Sequence, residues 1–82
     1  MIDLRPLHAG LVASGSNQPD RVIALIMACL GEGMTDGSVI VRAVSAMGYE
    51  RRYVGIQLST NAGLNPDRNL WQKLADGTYK LH

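Results

Sequence analysis

Apolar residues concentrate most strongly between positions 20 and 30, which read Asp-Arg-Val-Ile-Ala-Leu-Ile-Met-Ala-Cys-Leu. After the two charged residues every side chain is apolar, Pro19 and Asp20 suit a first helical turn, and Gly31 follows the last leucine. A helix without a polar stripe must be covered on most sides, whereas eleven residues are too few to span a bilayer. We therefore predict a core helix around which the other segments pack.

A second helix is predicted over residues 36–47, with Thr35 as its N-cap and Gly48 as its C-terminal stop. At 100° per residue its apolar side chains share one face, while Ser38, Arg42 and Ser45 lie on the other. The residues of that apolar face are Val39, Ile40, Ala43, Val44 and Met47.

A third helix is predicted from about Glu50 to Ala62, with Val54 and Leu58 on its inward side. Its outward side mixes a cation, an aromatic ring, an aliphatic side chain, an amide and a hydroxyl. These residues are Arg52, Tyr53, Ile56, Gln57 and Thr60. A helix that only needed solubility would more commonly present Glu and Lys there.

Residues 1–18 form an N-terminal appendage in which Leu4, Leu7 and Leu11 follow helical spacing, and Pro6 suits the start of a short helix. We expect these leucines to pack on the core helix, either of the same chain or of a second copy. Because a nearly all-apolar helix in a short chain needs more cover than two helices and a hairpin give, we predict a homodimer.

The C-terminal residues 70–81 read as a β-hairpin, with Trp71, Leu74, Tyr79 and Leu81 as strand residues and Asp76-Gly77 as the turn. Three helices followed by a hairpin, over residues 19–82, predict an α+β fold of the winged helix-turn-helix type.

Several short stretches of this chain resemble one winged-helix family, the HARE-HTH domain of transcription- and restriction-associated proteins. They are Met34-Thr35, Ile40, Met47-Gly48-Tyr49, Val54, Leu58, Asn65-Pro66-Asp67, Trp71 and Gly77-Thr78-Tyr79-Lys80-Leu81. The resemblance covers the chain from Arg21 onward and implies that the third helix enters the DNA major groove while the hairpin acts as a wing.

The distribution of charge distinguishes the second half of the chain slightly from the first. The net charge is +1, but residues 1–48 carry three arginines against four carboxylates (−1) and residues 49–82 carry five cations against three carboxylates (+2). The second half is therefore the expected face toward an acidic partner. No leader or membrane-spanning pattern is visible, so a cytoplasmic protein is expected, with the single Cys29 as a small buried hydrophobe.

Catalysis is not expected from this sequence. His8 and His82 lie at opposite ends, with His82 expected to fray, and the carboxylates are scattered singly. No Cys-x-x-Cys, phosphate-cradling glycine loop or His-Glu pair at helical spacing occurs. We predict a protein that is not an enzyme and needs neither a cofactor nor a metal.

The predicted function is DNA binding in transcription regulation. Arginine pairs with guanine, glutamine pairs with adenine, hydroxyls reach phosphates, and lysines on a hairpin would lie near backbone phosphates. The predicted DNA-binding residues are Arg51, Arg52, Tyr53, Gln57, Thr60, Lys73 and Lys80.

The alternative is a protein-interaction module, or a small inhibitor of phage or plasmid type, that uses the same helix face. Tyr53 beside Ile56 would form an apolar patch with polar neighbours, which is the composition of an interface hot spot.

Overall fold

A computed structural model describes residues 3–82. In chain order the elements are α1 (Arg5–Ala13), α2 (Gln18–Gly31), α3 (Gly37–Ser45), α4 (Arg51–Thr60), β1 (Trp71–Lys73) and β2 (Tyr79–Leu81). The two strands form an antiparallel sheet. The predicted α+β class is confirmed, but the described residues form four helices, not three, because the N-terminal segment folds into a regular helix with Pro6 in its first turn.

Helix α2 is the centre of the core, as the apolar run predicts. Val22, Leu25, Ile26 and Cys29 are fully buried, and α2 packs against α1, α3, α4 and β2. Burial raises the pKa of the Cys29 thiol, in keeping with its place among apolar side chains. The N-cap is Asn17, whose side chain accepts a 3.0 Å hydrogen bond from the backbone N–H of Asp20.

Helix α1 supplies cover for α2 within the same chain. Leu4 is only 4% exposed and belongs to the core, and Leu11 packs against it, whereas Leu7 is 39% exposed. His8 Nε2 lies 2.7 Å from the Tyr49 hydroxyl, with the two rings nearly perpendicular. The additional cover on which the homodimer prediction rests is therefore provided in part by α1, and the dimer itself stays a prediction.

The start of α3 differs from the prediction. Asp36, not Thr35, is the N-cap, because its Oδ1 accepts hydrogen bonds from both the backbone N–H and the hydroxyl of Ser38. The carbonyl of Thr35 instead accepts a 2.9 Å hydrogen bond from the Tyr79 N–H, which ties the α2–α3 loop to β2. Val39, predicted on the inward face, is exposed because it lies at the edge of the apolar stripe centred on Ile40.

The hairpin turn is longer than the Asp76-Gly77 pair suggests. Trp71 pairs with Leu81 and Lys73 with Tyr79, so Leu74, predicted to be a strand residue, belongs to the connection. Leu74 accepts a hydrogen bond from the Gly77 N–H and donates one to the Thr78 carbonyl. This is a three-residue turn in which Gly77 takes a positive φ of 88°.

The hairpin is attached to the helices by its two large aromatic residues. Trp71 is fully buried, and its indole N–H donates a 2.8 Å hydrogen bond to the carbonyl of Leu58 near the end of α4. Tyr79 packs against Gly37, where a Cβ would come within 2.8 Å of its ring. His82, predicted to fray, has its Nε2 2.8 Å from the Gly63 carbonyl oxygen.

Candidate nucleic-acid interface

The third predicted helix is α4, and it is held to the core by only two fully or nearly fully buried side chains, Val54 and Leu58. Since side chains four residues apart lie along one line of a helix, the remaining positions form three stripes. The groove stripe is Arg51, Gly55 and Ser59. The outer ridge is Arg52, Ile56 and Thr60, and the tyrosine stripe is Tyr53, Gln57 and Asn61.

The groove stripe borders an open groove of about 530 Å³ between α3, α4 and the hairpin turn. Helix α3 contributes Ser38 and Arg42 to its lining, and the hairpin contributes Gly77 and Tyr79. Only Arg51 among the predicted site residues lies in this groove. Arg42 also lies in this groove but was not among the predicted site residues. Its position on the polar face of α3 could have indicated it.

One carboxylate, Asp36, also lines the groove. The hydrogen bonds from Ser38, with a smaller contribution from Arg42, hold the pKa of that carboxyl below its usual range. Asp36 is therefore ionised at neutral pH, and the groove carries two guanidinium groups against one carboxylate.

The outer ridge lies as predicted. Arg52 and Thr60 are exposed, and Ile56 between them is 52% exposed. A guanidinium, an aliphatic side chain and a hydroxyl thus follow one another along the most accessible line of α4. This combination can contact base edges and phosphates, or an apolar spot on a protein.

The tyrosine stripe is less accessible than predicted. Tyr53 is half-buried because it packs against the core. Gln57 is also half-buried: its Oε1 accepts a 3.2 Å hydrogen bond from Asn61 Nδ2, and its Nε2 lies 3.4 Å from the Tyr53 hydroxyl. These hydrogen bonds use one N–H and one oxygen lone pair of the Gln57 amide and fix its orientation, so they compete with a bidentate contact to adenine.

The two hairpin lysines lie on opposite faces of the sheet. Lys73 is paired with Tyr79, and its Nζ is 5.8 Å from the centre of that ring, within the range of a cation–π contact. Lys80 is paired with Gln72 and therefore points to the other face. Both lysines are exposed, but one straight phosphate backbone would not meet both on the same side of the hairpin.

The cations of this region are not neutralised by ion pairs. Within residues 3–82 the single ion pair joins Arg5 and Asp3 at 3.0 Å, at the start of α1. Arg42, Arg51 and Arg52 thus keep their hydrogen-bonding capacity for a partner.

Three further findings concern the range of functions. The part of the chain that the structure describes contains no group of three or more His, Cys, Asp or Glu side chains that could hold a metal ion. No helix of residues 3–82 has the length and apolarity needed to cross a membrane. No family model, curated protein or solved structure matches the chain, so the similarity to HARE-HTH domains stays a prediction.

Proposed function

We propose that this protein is a small DNA-binding protein of the winged-helix type that regulates transcription. The observation that carries the proposal is that α4 combines a buried side with exposed arginines at its first turn. Two side chains, Val54 and Leu58, anchor it, while Arg51 and Arg52 at its first turn are exposed and make no ion pair within residues 3–82.

The layout of the elements supports the same function. Helices α3 and α4 follow each other across the short connection 46–50, and the hairpin packs beside them through Trp71 and Tyr79. In helix-turn-helix proteins the second helix of such a pair lies in the major groove, with its N-terminal residues at the base edges. In this proposal α4 has that role, the hairpin is the wing, and α1 is an additional helix behind α2.

Charge distribution also favours a polyanionic partner. On α3, α4, their caps and the hairpin there are five cations, Arg42, Arg51, Arg52, Lys73 and Lys80, against three carboxylates, Asp36, Glu50 and Asp76. These elements together carry a net charge of +2, whereas the whole chain carries only +1, and Lys73 and Lys80 contribute to it from opposite faces of the hairpin. Exposed cations around a duplex-reading helix supply the sequence-independent part of DNA affinity.

A second candidate function, a protein-interaction module, is favoured by one observation. Ile56 is 52% exposed at the middle of the outer ridge, where a helix that reads DNA would more commonly carry a polar side chain. An exposed aliphatic residue with polar neighbours is typical of a protein-binding spot.

The two functions predict opposite orders of mutational effect on the outer ridge. With a duplex selected from a random pool, Arg52→Ala should remove about 1–3 kcal/mol of discrimination at one base pair. Ile56→Ala should have little effect on that duplex. If the ridge binds a protein, Ile56→Ala should dominate, by roughly 2 kcal/mol.

Arg5→Ala is the matched control, because it removes the same charge from α1, outside the proposed interface. Fluorescence polarisation with a panel of duplexes that differ by single base pairs measures the discrimination. Equal behaviour of Arg52→Ala and Arg5→Ala across the panel would contradict DNA reading by α4.

A further inference from the structure

Nothing in the folded chain requires a glycine at position 55, in the middle of α4. A glycine inside a helix lowers its stability relative to alanine, because glycine is a poor helix former. Its φ is not positive, so no special backbone conformation requires it. A Cβ built at Gly55 would meet no atom within 4 Å, so no close packing requires it either.

What Gly55 does border is the groove. It lies on the groove stripe one helical turn from both Arg51 and Ser59, and all three residues line the groove. Arg42 faces them from α3. A side chain at position 55 would therefore occupy part of the groove that both arginines line.

We propose that the groove admits a phosphate group of the DNA backbone, bound by Arg42 and Arg51, and that Gly55 supplies the clearance. This inference rests on the proposed function. It adds Arg42 as a phosphate-binding residue and Gly55 as the residue whose missing side chain leaves room for the phosphate. Guanidinium groups bind phosphate oxygens through charge-assisted, often bidentate hydrogen bonds. The hydroxyl of Ser59 on the same wall is a further hydrogen-bonding group of the kind that contacts DNA phosphates.

The shape and charge of the groove fit the backbone of a DNA strand better than a small enclosed ligand. The groove is open to solvent, with Gly77 of the hairpin turn in its lining, so a continuous backbone is not excluded by an enclosing wall. Asp36 reduces its positive charge, but two guanidinium groups against one carboxylate leave it cationic.

The test uses two glycines that differ only in their surroundings. Gly10 lies in α1, and a Cβ there also meets nothing within 4 Å. Gly55→Gln and Gly10→Gln should both raise the midpoint of thermal unfolding, because glutamine is the better helix former. Only Gly55→Gln should weaken duplex binding, by roughly tenfold or more. Gly55→Ala should have a smaller effect in the same direction.

Arg42→Ala provides a second, independent readout. Loss of one phosphate contact should weaken binding to all duplexes alike and lower the slope of log affinity against log salt by about one. Arg5→Ala should leave that slope unchanged.

Each remaining outcome has a defined meaning. If the parent protein binds a duplex and Gly55→Gln binds it as tightly as Gly10→Gln does, the groove inference is wrong and the proposed function stands. A lowered unfolding midpoint for Gly55→Gln would show that packing explains the glycine, which also overturns it. If ATP or inorganic phosphate raises the midpoint of the parent but not of Gly55→Gln, while both proteins bind the duplex equally tightly, the groove serves a free phosphate compound and not a backbone. If the parent binds no duplex at low salt, the proposed function fails and the inference fails with it.

Discussion

Helices α2 and α4 differ in how much of their surface is buried. Helix α2 has five buried residues and packs against four other elements, whereas α4 buries two side chains and leaves most of its surface accessible. An apolar residue on α2 therefore acts on stability, while a polar residue on α4 can change without unfolding the chain. The core is therefore concentrated on α2, and in the proposed function the exposed surface of α4 carries the binding.

The hairpin packs beside α3 and α4, whereas α1 packs against α2. Trp71 and Tyr79 attach the hairpin to α4 and to the start of α3, beside the groove. Helix α1 packs against α2, its N-cap Leu4 is buried in the core, and His8 on α1 contacts Tyr49 in the segment before α4. Substitutions on α2 and at the contacts of α1 and α3 should therefore differ in their effect on stability.

Leu25→Ala should destabilise the fold by about 2–5 kcal/mol, because it empties a fully buried site on α2. Met27→Ala on the same helix is the control, since Met27 is 38% exposed, and its effect should be much smaller. Urea denaturation followed by circular dichroism measures both. Similar losses for the two variants would contradict the central position of α2.

His8→Ala should destabilise the fold by about 1 kcal/mol, the net contribution of one hydrogen bond. Tyr49→Phe removes only the hydroxyl partner of that bond, and a double-mutant cycle of the two changes isolates their coupling. Additive effects of the two substitutions would show that α1 is not joined to the segment before α4 by this contact.

The smallest effect concerns acid stability at the start of α3. Because the folded-state pKa of Asp36 is lowered, chiefly by the Ser38 hydrogen bonds, its contribution is present above the unfolded pKa of about 3.9. It is lost as the pH falls below that value. Asp36→Asn keeps an N-cap without the titrating charge, so thermal midpoints of the variant should decline less between pH 5 and pH 3 than those of the parent. An unchanged acid dependence would contradict this assignment, although Asp3 and Asp76, whose pKa values are also lowered, keep part of it in both proteins.

The parts of the fold that follow from local pattern were predictable from the sequence. The apolar run predicts α2 within a few residues, and the inward side of α4 follows from the spacing of Val54 and Leu58. The N-caps were harder, because Asn17 and Asp36 lie next to other residues that can cap a helix. Choosing among them depends on tertiary bonds such as the one from Tyr79 to Thr35.

The candidate site was predictable only in part. Arg51 and Arg52 lie exposed on α4, but the groove that joins Arg51 to Arg42 arises from the angle between two helices, which no local pattern encodes. The half-burial of Tyr53 likewise depends on tertiary packing, in this case against the core. The opposite directions of Lys73 and Lys80 follow from the register of the hairpin, and the sequence signal for its turn did not define that register.

The central claim, that the surface of α4 and the hairpin binds DNA, is tested most directly by titrating the unaltered protein with random duplex DNA. Fluorescence polarisation at about 50 mM and about 200 mM salt compares the two affinities. With three phosphate contacts, from Arg42, Arg51 and one of the two hairpin lysines, log affinity should fall with a slope of roughly −3 against log salt, on the order of fortyfold between the two conditions. No binding at the lower salt concentration, or an affinity that salt leaves unchanged, would contradict the claim.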